Sequence, residues 1–508
     1  MNVSYDLVLT YLCNLKATNS CGPDGIPNIF LRLAAKGLCT PLTILLQRSV
    51  FDGLIPDAWR VAKILPLYKG KGDKSDPNSY RPISLTSCIG KVLEAIVKDQ
   101  CIKHVTDNNL MSVLQHGFCS GKSTVTNLLC ADSYLLNAIN ENCPVDVILL
   151  DFARAFDKVP HDKLIDCLSS YMFSYRLMCW FKDFLCNRTQ YVFVNGARST
   201  HASVKSGVVQ GSVVGPFLFT LFINSLSLCV KNSEFLLFAD DSKLLRRVDV
   251  NGHVVLSNDL FNIVTWSKSH GLPLNVLKCC VLHYDGRHSP NPHTSYFIDG
   301  VKVASVNSCT DLGVLRQSNG QFKQHIANVS ASAARRVGLS LRAFTCRDAV
   351  FMRRLFVSYI RPKLEYAAVV WSPEDVASIA QLEKVQRRFT KQIAGFYYLS
   401  YRDRLSRLNL YSLKFRRDLL LVCFVFKLLH NMLNITPENV GLKLCINHTR
   451  SAGVKLYVHR PNCSVFKSSF MHRATILWNS LPYSVLYARN IIHFKRIVQC
   501  HWSQDGAW

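Results

Sequence analysis

Phe235-Leu236-Leu237-Phe238-Ala239-Asp240-Asp241-Ser242-Lys243-Leu244-Leu245 is the stretch on which the fold turns. An apolar run leads into two adjacent acids, and a second apolar run follows. Two such runs joined by a short polar link read as a hairpin, with Asp240-Asp241 at its tip. Side-by-side carboxylates repel, and withdrawing them from water is costly unless a cation or hydrogen-bond donors compensate. A hard divalent cation is the natural partner, since Mg²⁺ takes one or two carboxylates together with substrate phosphates. By itself the pair reads more readily as a solvated turn, because turns favour Asp. The surrounding chain decides between the two.

Upstream, Val145-Asp146-Val147-Ile148-Leu149-Leu150-Asp151 is an apolar strand ending in a third carboxylate. Alone, such an Asp is as readily a helix cap. Between the acids lies Gly207-Val208-Val209-Gln210-Gly211-Ser212-Val213-Val214-Gly215-Pro216, which opens an apolar helix running through Leu228. Its glycines allow close backbone approach; the plainer reading is a tight helix start capped by Ser212. Three carboxylates on adjacent strand tips suit two divalent ions about 4 Å apart, an arrangement for in-line phosphoryl transfer.

The bulk properties point the same way. The 508 residues contain 60 Lys plus Arg against 34 Asp plus Glu, a net charge of +26. A protein this basic meets a polyanion, nucleic acid first and an anionic membrane surface second. No stretch reaches the roughly 20 apolar residues of a spanning helix. The N-terminus lacks a basic flank and apolar core, so no secretion is expected. The 20 cysteines form no C-x-x-C pair, and Cys463, His472, Cys500 and His501 lack zinc-ligand spacing. Reduced, mostly buried thiols are expected.

In chain order, helices are expected over 8–20, 28–49 and 89–103. A strand is expected at 62–68, followed by the basic loop Lys69-Gly70-Lys71-Gly72-Asp73-Lys74 and the extended segment Tyr80–Leu85. His116-Gly117-Phe118-Cys119-Ser120-Gly121-Lys122-Ser123-Thr124 is not a phosphate loop, because His116 stands where the first glycine belongs. Strands follow at 190–194, 278–284 and 308–315, with turns at Asn195-Gly196 and Asp299-Gly300. A helix covers 255–270. Beyond about 321 come helices dense with Arg335, Arg336, Arg342, Arg347, Arg353, Arg354, Arg361, Arg387, Arg388, Lys391, Arg402, Arg404 and Arg407. Few acids offset them, so they read as a track for nucleic-acid backbone rather than a merely solvated face. Further helices are expected around 419–433 and 470–481.

Taken together, these segments resemble the reverse transcriptase of non-LTR retrotransposons, closest to the jockey-like and chicken-repeat-like group, over roughly residues 8–500. The motifs are GPDGIP at 22–27, SYRPISL at 79–85, HGF at 116–118, LDFARAFDKVPH at 150–161, GVVQGSVVGP at 207–216, FADD at 238–241, LPLN at 272–275 with Lys278, DLGV at 311–314, YIRPKLEYA at 359–367 and LWNSLP at 477–482. The resemblance implies an α+β right-hand polymerase with fingers, an antiparallel palm sheet with helices, and a helical thumb. It divides the chain into an N-terminal helical extension (1–55), fingers and palm (56–290), end of palm and thumb (291–400) and a basic helical C-terminal region (401–508). It implies RNA-templated DNA synthesis from dNTPs on a DNA primer or target, with two Mg²⁺ ions, or Mn²⁺ in their place, held by Asp151, Asp240 and Asp241. Phe152 and Phe156 would lie at the nucleotide. Phe156 matches the aromatic that excludes a ribose 2′-hydroxyl, or else packs under the palm helix. Gln210 and Gly211 would shape the nucleotide and template pocket. Lys278 would protonate the leaving pyrophosphate, or else is a surface strand lysine. Lys69, Arg81 and Lys122 would contact the triphosphate. The expected setting is a ribonucleoprotein of cytoplasm and nucleus, away from membranes.

The chain departs from the family pattern at Val209, where relatives carry Pro, at Cys119 and Ser120, where they carry basic residues, and at Ser225, where an Asp is usual. No metal ligand is lost. The sequence opens directly at the region before the fingers, without the endonuclease domain such elements carry upstream, so a truncated copy or one part of a longer reading frame is expected. The alternative function is a catalytically weakened relic that only binds nucleic acid.

Overall fold

The structure, a computed structural model, describes residues 2–70, 72–445 and 455–504. Lys71 of the basic loop lies outside them. The fold is α+β, as expected. Its strands are β1 (Val61–Tyr68), β2 (Tyr80–Leu85), β3 (Val145–Leu150), β4 (Thr189–Val194), β5 (Ala197–Arg198), β6 (Ala202–Ser203), β7 (Glu234–Phe238), β8 (Asp241–Arg247), β9 (Cys280–Tyr284), β10 (Phe297–Ile298), β11 (Val301–Lys302), β12 (Ala304–Ser305), β13 (Ser308–Asp311) and β14 (Val314–Gln317). The chain divides into two compact units. One comprises Met1–Phe118, Asp151–Lys231 and Asp259–Asn275; the other comprises Cys119–Leu150, Asn232–Asn258 and Val276–Trp508.

The first unit carries a sheet in the order β2-β1-β4-β5, with β6 on β4. β1 and β2 are antiparallel, Tyr68 opposite Tyr80, and β1 runs parallel to β4. Asn195 and Gly196 both take positive φ at the β4–β5 turn, the backbone that an Asn-Gly hairpin turn requires. Helix Cys88–Asp107 begins at Ser87, whose hydroxyl accepts from the Gly90 amide at 3.3 Å. It buries Val92, Leu93, Ile96 and Val97 at helical spacing. Residues 207–214 are not helical. Gly207 (φ 87) and Gly211 (φ 124) interrupt the helical backbone, so the α-helix is confined to Gly215–Asn224 and ends in a 3-10 turn, Ser225–Leu228.

The second unit is built on a five-stranded sheet in the order β12-β9-β3-β8-β7. β3 is central and antiparallel to both β8 and β9. Val145, Asp146, Val147 and Ile148 are all buried, so the strand is covered on both faces and reads as a nearly continuous apolar run. Helix Thr124–Asn140, which the sequence pattern did not reveal, packs on the sheet. Its Asn127 side-chain amide donates to the Leu237 carbonyl at 3.0 Å. Val147, Leu236 and Leu245 join one core with Ile326, Phe356, Phe389, Phe426 and Trp478 from the helices that follow. Each fully buried side chain of this size contributes about 1.5–3 kcal/mol.

Asp146, fully buried in β3, accepts hydrogen bonds from His283 Nδ1 (2.7 Å), the Asn291 side-chain amide (2.8 Å) and the Tyr296 hydroxyl (2.5 Å). The expected single strand over 308–315 is instead the β13–β14 hairpin, because Leu312 and Gly313 both adopt positive φ and reverse the chain. The expected turn at Asp299-Gly300 joins β10 to β11. The C-terminal helices include Lys323–Ala343, Val376–Thr390, Leu413–Leu429 and Phe470–Asn479.

Two composition-based expectations change. Cys39, Cys88, Cys101, Cys130 and Cys279 are buried, but most other cysteines are only half-buried and Cys13, Cys346 and Cys500 are exposed. They sit on the margins of amphipathic elements as well as in cores. Part of the basic run is half-buried or buried and bonded within the protein. Arg347, Arg353 and Arg404 donate to backbone carbonyls of Leu341, Leu408 and Arg387, and Arg361 pairs with Glu365. Arg335, Arg342, Arg354, Arg387, Arg388, Lys391, Arg402 and Arg407 remain exposed. Among the described residues no helix is long and apolar enough to cross a membrane.

Candidate active site

In the second unit, β7 and β8 close at Phe238 opposite Asp241, so the tip is Ala239-Asp240 and Asp241 is the first residue of β8. The sequence reading, which put both acids at the tip, is off by one residue. Ala239 takes φ 55 and is buried, which turns the chain in two residues and leaves consecutive carboxylates half-buried (Asp240) and exposed (Asp241). Leu150, the last residue of β3, stands opposite Ser242, and Asp151 is the next residue in the chain.

Among the described residues no group of three or more His, Cys, Asp or Glu is already gathered as a metal site. The donor chemistry at the hairpin nevertheless fits Mg²⁺ or Mn²⁺. Carboxylate oxygens are hard donors, and Mg²⁺ is held by one or two carboxylates with water and substrate phosphates rather than by an all-protein cage.

Lys278 also belongs to this unit. It is exposed in the turn that precedes β9, not on the strand where the sequence reading put it. Lys122 is half-buried, and burial pushes its ammonium pKa down.

In the first unit, Asp151 starts a segment tied to residues 273–275. The Asp151 carbonyl accepts from the Asn275 amide (2.7 Å), the Ala153 amide donates to Pro273 (2.9 Å), and Phe152 bridges to Leu274. The quoted LPLN motif is therefore a strap for the chain around Asp151. Phe152 is buried, its ring edge-on to Trp266 at 6.3 Å. Phe156 stacks on Phe219 at 4.2 Å and meets Phe118 edge-on at 6.1 Å. Of the two sequence-derived roles for Phe156, the packing one is thus met in the structure; the half-exposed ring leaves the other open to test.

Gln210 donates its side-chain amide to Asp157 Oδ1 at 2.7 Å, and its carbonyl accepts from the Ser84 amide at 2.8 Å. Burial raises the Asp157 carboxyl, while the Gln210 hydrogen bond and the Arg154 and Lys69 charges oppose the shift. Gly211 is required, since a Cβ there would lie 2.3 Å from the Ser84 carbonyl oxygen. Beside this loop opens a cleft of about 340 Å³ lined by Ile64, Ser84, Asp157, Gln190, Lys205 and Gln210, at the lower end of the range for small-ligand sites. Lys69 donates to the Asn78 carbonyl at 2.8 Å, and Arg81 on β2 is exposed.

Sequence reasoning passed over Asp157 and Ser84, whose roles appear only through the fold. Asp157 lay inside a quoted motif, six residues after Asp151, and that spacing was its one available signal.

The sheet of the second unit, antiparallel across β9, β3, β8 and β7, thus carries Asp240 and Asp241 at its β7–β8 turn. Residues 70–322 match the reverse transcriptase (RNA-dependent DNA polymerase) family, and that stretch of the chain belongs to it. It is 23% identical over 414 residues to the RNA-directed DNA polymerase from mobile element jockey of Drosophila melanogaster, covering 79% of this chain and 45% of the relative. To the jockey polymerase of Drosophila funebris it is 24% identical, covering 90% and 50%. To the retrovirus-related Pol polyprotein from type-1 retrotransposable element R1 of Bradysia coprophila it is 26% identical, covering 70% and 36%. The resemblance to non-LTR retrotransposon polymerases is borne out. The chain spans about half the length, or less, of these curated relatives.

Proposed function

We propose that this chain synthesises DNA on an RNA template by two-metal phosphoryl transfer from a dNTP to a primer 3′-hydroxyl, as in target-primed retrotransposition. The observation that carries the reading is the register Leu150 opposite Ser242 within a chain of the reverse transcriptase family. Asp151 and Asp241 adjoin those two residues in sequence. With Asp240 they would hold the divalent ions, and Mg²⁺ when bound would acidify the primer hydroxyl and offset triphosphate charge.

The remaining roles fall to this chain's own groups. Gln210, oriented by Asp157, lines the nucleotide site, with Gly211 admitting close backbone approach. Phe156 bounds the sugar and rejects a 2′-hydroxyl, and Phe152 lies at the nucleotide. Lys278 donates a proton to departing pyrophosphate. Lys69, Arg81 and Lys122 neutralise phosphate charge, and the exposed arginines of the C-terminal helices track the nucleic-acid backbone.

Primer extension on an RNA template with Mg²⁺ tests this. Wild type yields DNA, and Asp240→Asn yields none while binding RNA normally. RNA binding without any wild-type product would instead support the relic reading, which the half-buried Lys122 and the departures at Cys119 and Ser120 favour.

A further inference from the structure

The loop 207–214 is gripped on three sides, and one grip belongs to no quoted motif. Glu94, in helix Cys88–Asp107, is buried, and its Oε2 accepts from the amides of Val213 at 2.6 Å and Val214 at 3.2 Å. These are two of the amides ahead of helix Gly215–Asn224. N–H groups at a helix start have no partner within the helix, and a carboxylate there is favoured by the helix dipole. The acceptor comes from 119 residues away in sequence, although helix starts are ordinarily capped locally.

The segment between is tight. Ser212 Oγ accepts from Gly215 N at 2.7 Å, and Ser212 N donates to Val209 O at 3.1 Å. A displacement at Val213 is therefore passed back to Gln210 and Gly211. Burial raises the Glu94 carboxyl, opposed by the two amide bonds and by the charges of Arg188 and Lys91. Arg188 is itself buried and donates to Phe184 O (3.2 Å) and Trp59 O (3.1 Å). A buried acid with no direct ion pair is costly to maintain, and an apolar residue would serve packing alone better.

We propose that Glu94 is a positioning residue that, by holding the amides of Val213 and Val214, sets Gln210 and Gly211 for the incoming nucleotide. The nucleotide half of this inference rests on the polymerase reading above. Glu94→Gln keeps an acceptor oxygen and discards the charge; Glu94→Leu discards both.

Steady-state primer extension on RNA should show the dNTP KM of Glu94→Leu raised about tenfold. Its kcat should change less, its primer–template affinity should be unchanged, and Glu94→Gln should restore most of the loss. Amide hydrogen exchange over the peptide containing Val213 and Val214, on the protein without nucleotide, should be fast in Glu94→Leu and slow in wild type and Glu94→Gln. Unaltered exchange and KM in Glu94→Leu overturn the proposal, as does a Glu94→Gln variant as impaired as Glu94→Leu. Should Glu94→Leu not fold, Glu94→Asp, whose carboxylate stops one methylene short, must show the same KM rise. A wild type that makes no DNA defeats the polymerase reading, while the exchange experiment still judges the clamp.

Discussion

Leu150 of β3 stands opposite Ser242 of β8. In an antiparallel pair this brings the end of one strand and the start of the other to the same edge of the sheet, and the neighbouring residues in the chain are Asp151 and Asp241. Replacing either acid with Asn keeps its size and removes its charge. Each variant should lose DNA synthesis by about a hundredfold or more, the scale expected when a charge-stabilising group at a phosphoryl-transfer site is lost. Thermal unfolding should stay near that of wild type.

Phe156 should govern sugar selection. Its ring is fixed by stacking on Phe219 at 4.2 Å, so Phe156→Val opens space rather than relocating the barrier. Incorporation of rNTP relative to dNTP should rise by about ten- to a hundredfold, the range for a lost steric contact. Single-nucleotide extension with each substrate measures it; an unchanged ratio would assign Phe156 to packing alone.

Gly211→Ala should be severe. The new Cβ would stand 2.3 Å from the Ser84 carbonyl oxygen at a φ of 124°. A strained backbone position and a clash with main chain cost about 2 kcal/mol or more. Urea denaturation should show the loss, and primer extension should fail even where folding persists.

Lys243 and Asp311 form a buried ion pair, their side chains 4% and 9% exposed. Lys243→Met strands a buried carboxylate and should cost about 3 kcal/mol. The double variant Lys243→Met/Asp311→Leu should recover most of that. A double variant no more stable than the single one would show that Asp311 is compensated elsewhere.

His325 supplies a pH signature. Burial first, then the Arg316 and Lys363 charges, lower its pKa from 6.5 to about 4, while its Nδ1 accepts from the Leu315 amide at 3.1 Å. The native state thus binds this proton less readily than the unfolded chain. Its contribution is complete above pH 6.5 and is lost as pH falls toward about 4. Urea midpoints across that range should fall less steeply in His325→Gln, whose amide can still accept from Leu315.

The strands carrying the acids were legible because each is a short apolar run with polar breaks, and the Asn195-Gly196 and Asp299-Gly300 turns announce themselves by residue type. The Leu312-Gly313 turn was hidden because Leu312, an ordinary strand residue, takes the left-handed backbone there. Residues 207–216 read as the opening of a helix running through Leu228, yet Gly207 and Gly211 adopt positive φ and the helix starts only at Gly215. The carboxylates and Gln210 were legible through their motifs. Asp157, Ser84 and Glu94 were not, since each acts on a residue at least 53 positions away, a separation that local periodicity does not report. The basic helices misled in part because a guanidinium serving buried carbonyls looks the same in sequence as one facing solvent.

The buried Asp146 also sets a timetable. β3 leaves the ribosome early, but two of the donors its carboxylate needs lie 137 and 150 residues downstream, at His283 and Tyr296. Until those residues are synthesised, sealing β3 into its sheet would strand an unpartnered carboxyl group in an apolar interior. At the translation rates of about 5–20 residues per second that accompany domain-wise folding, closure of the nascent sheet is expected to wait many seconds. The strand pair that carries Asp241 is therefore expected to close only after Tyr296 has been made.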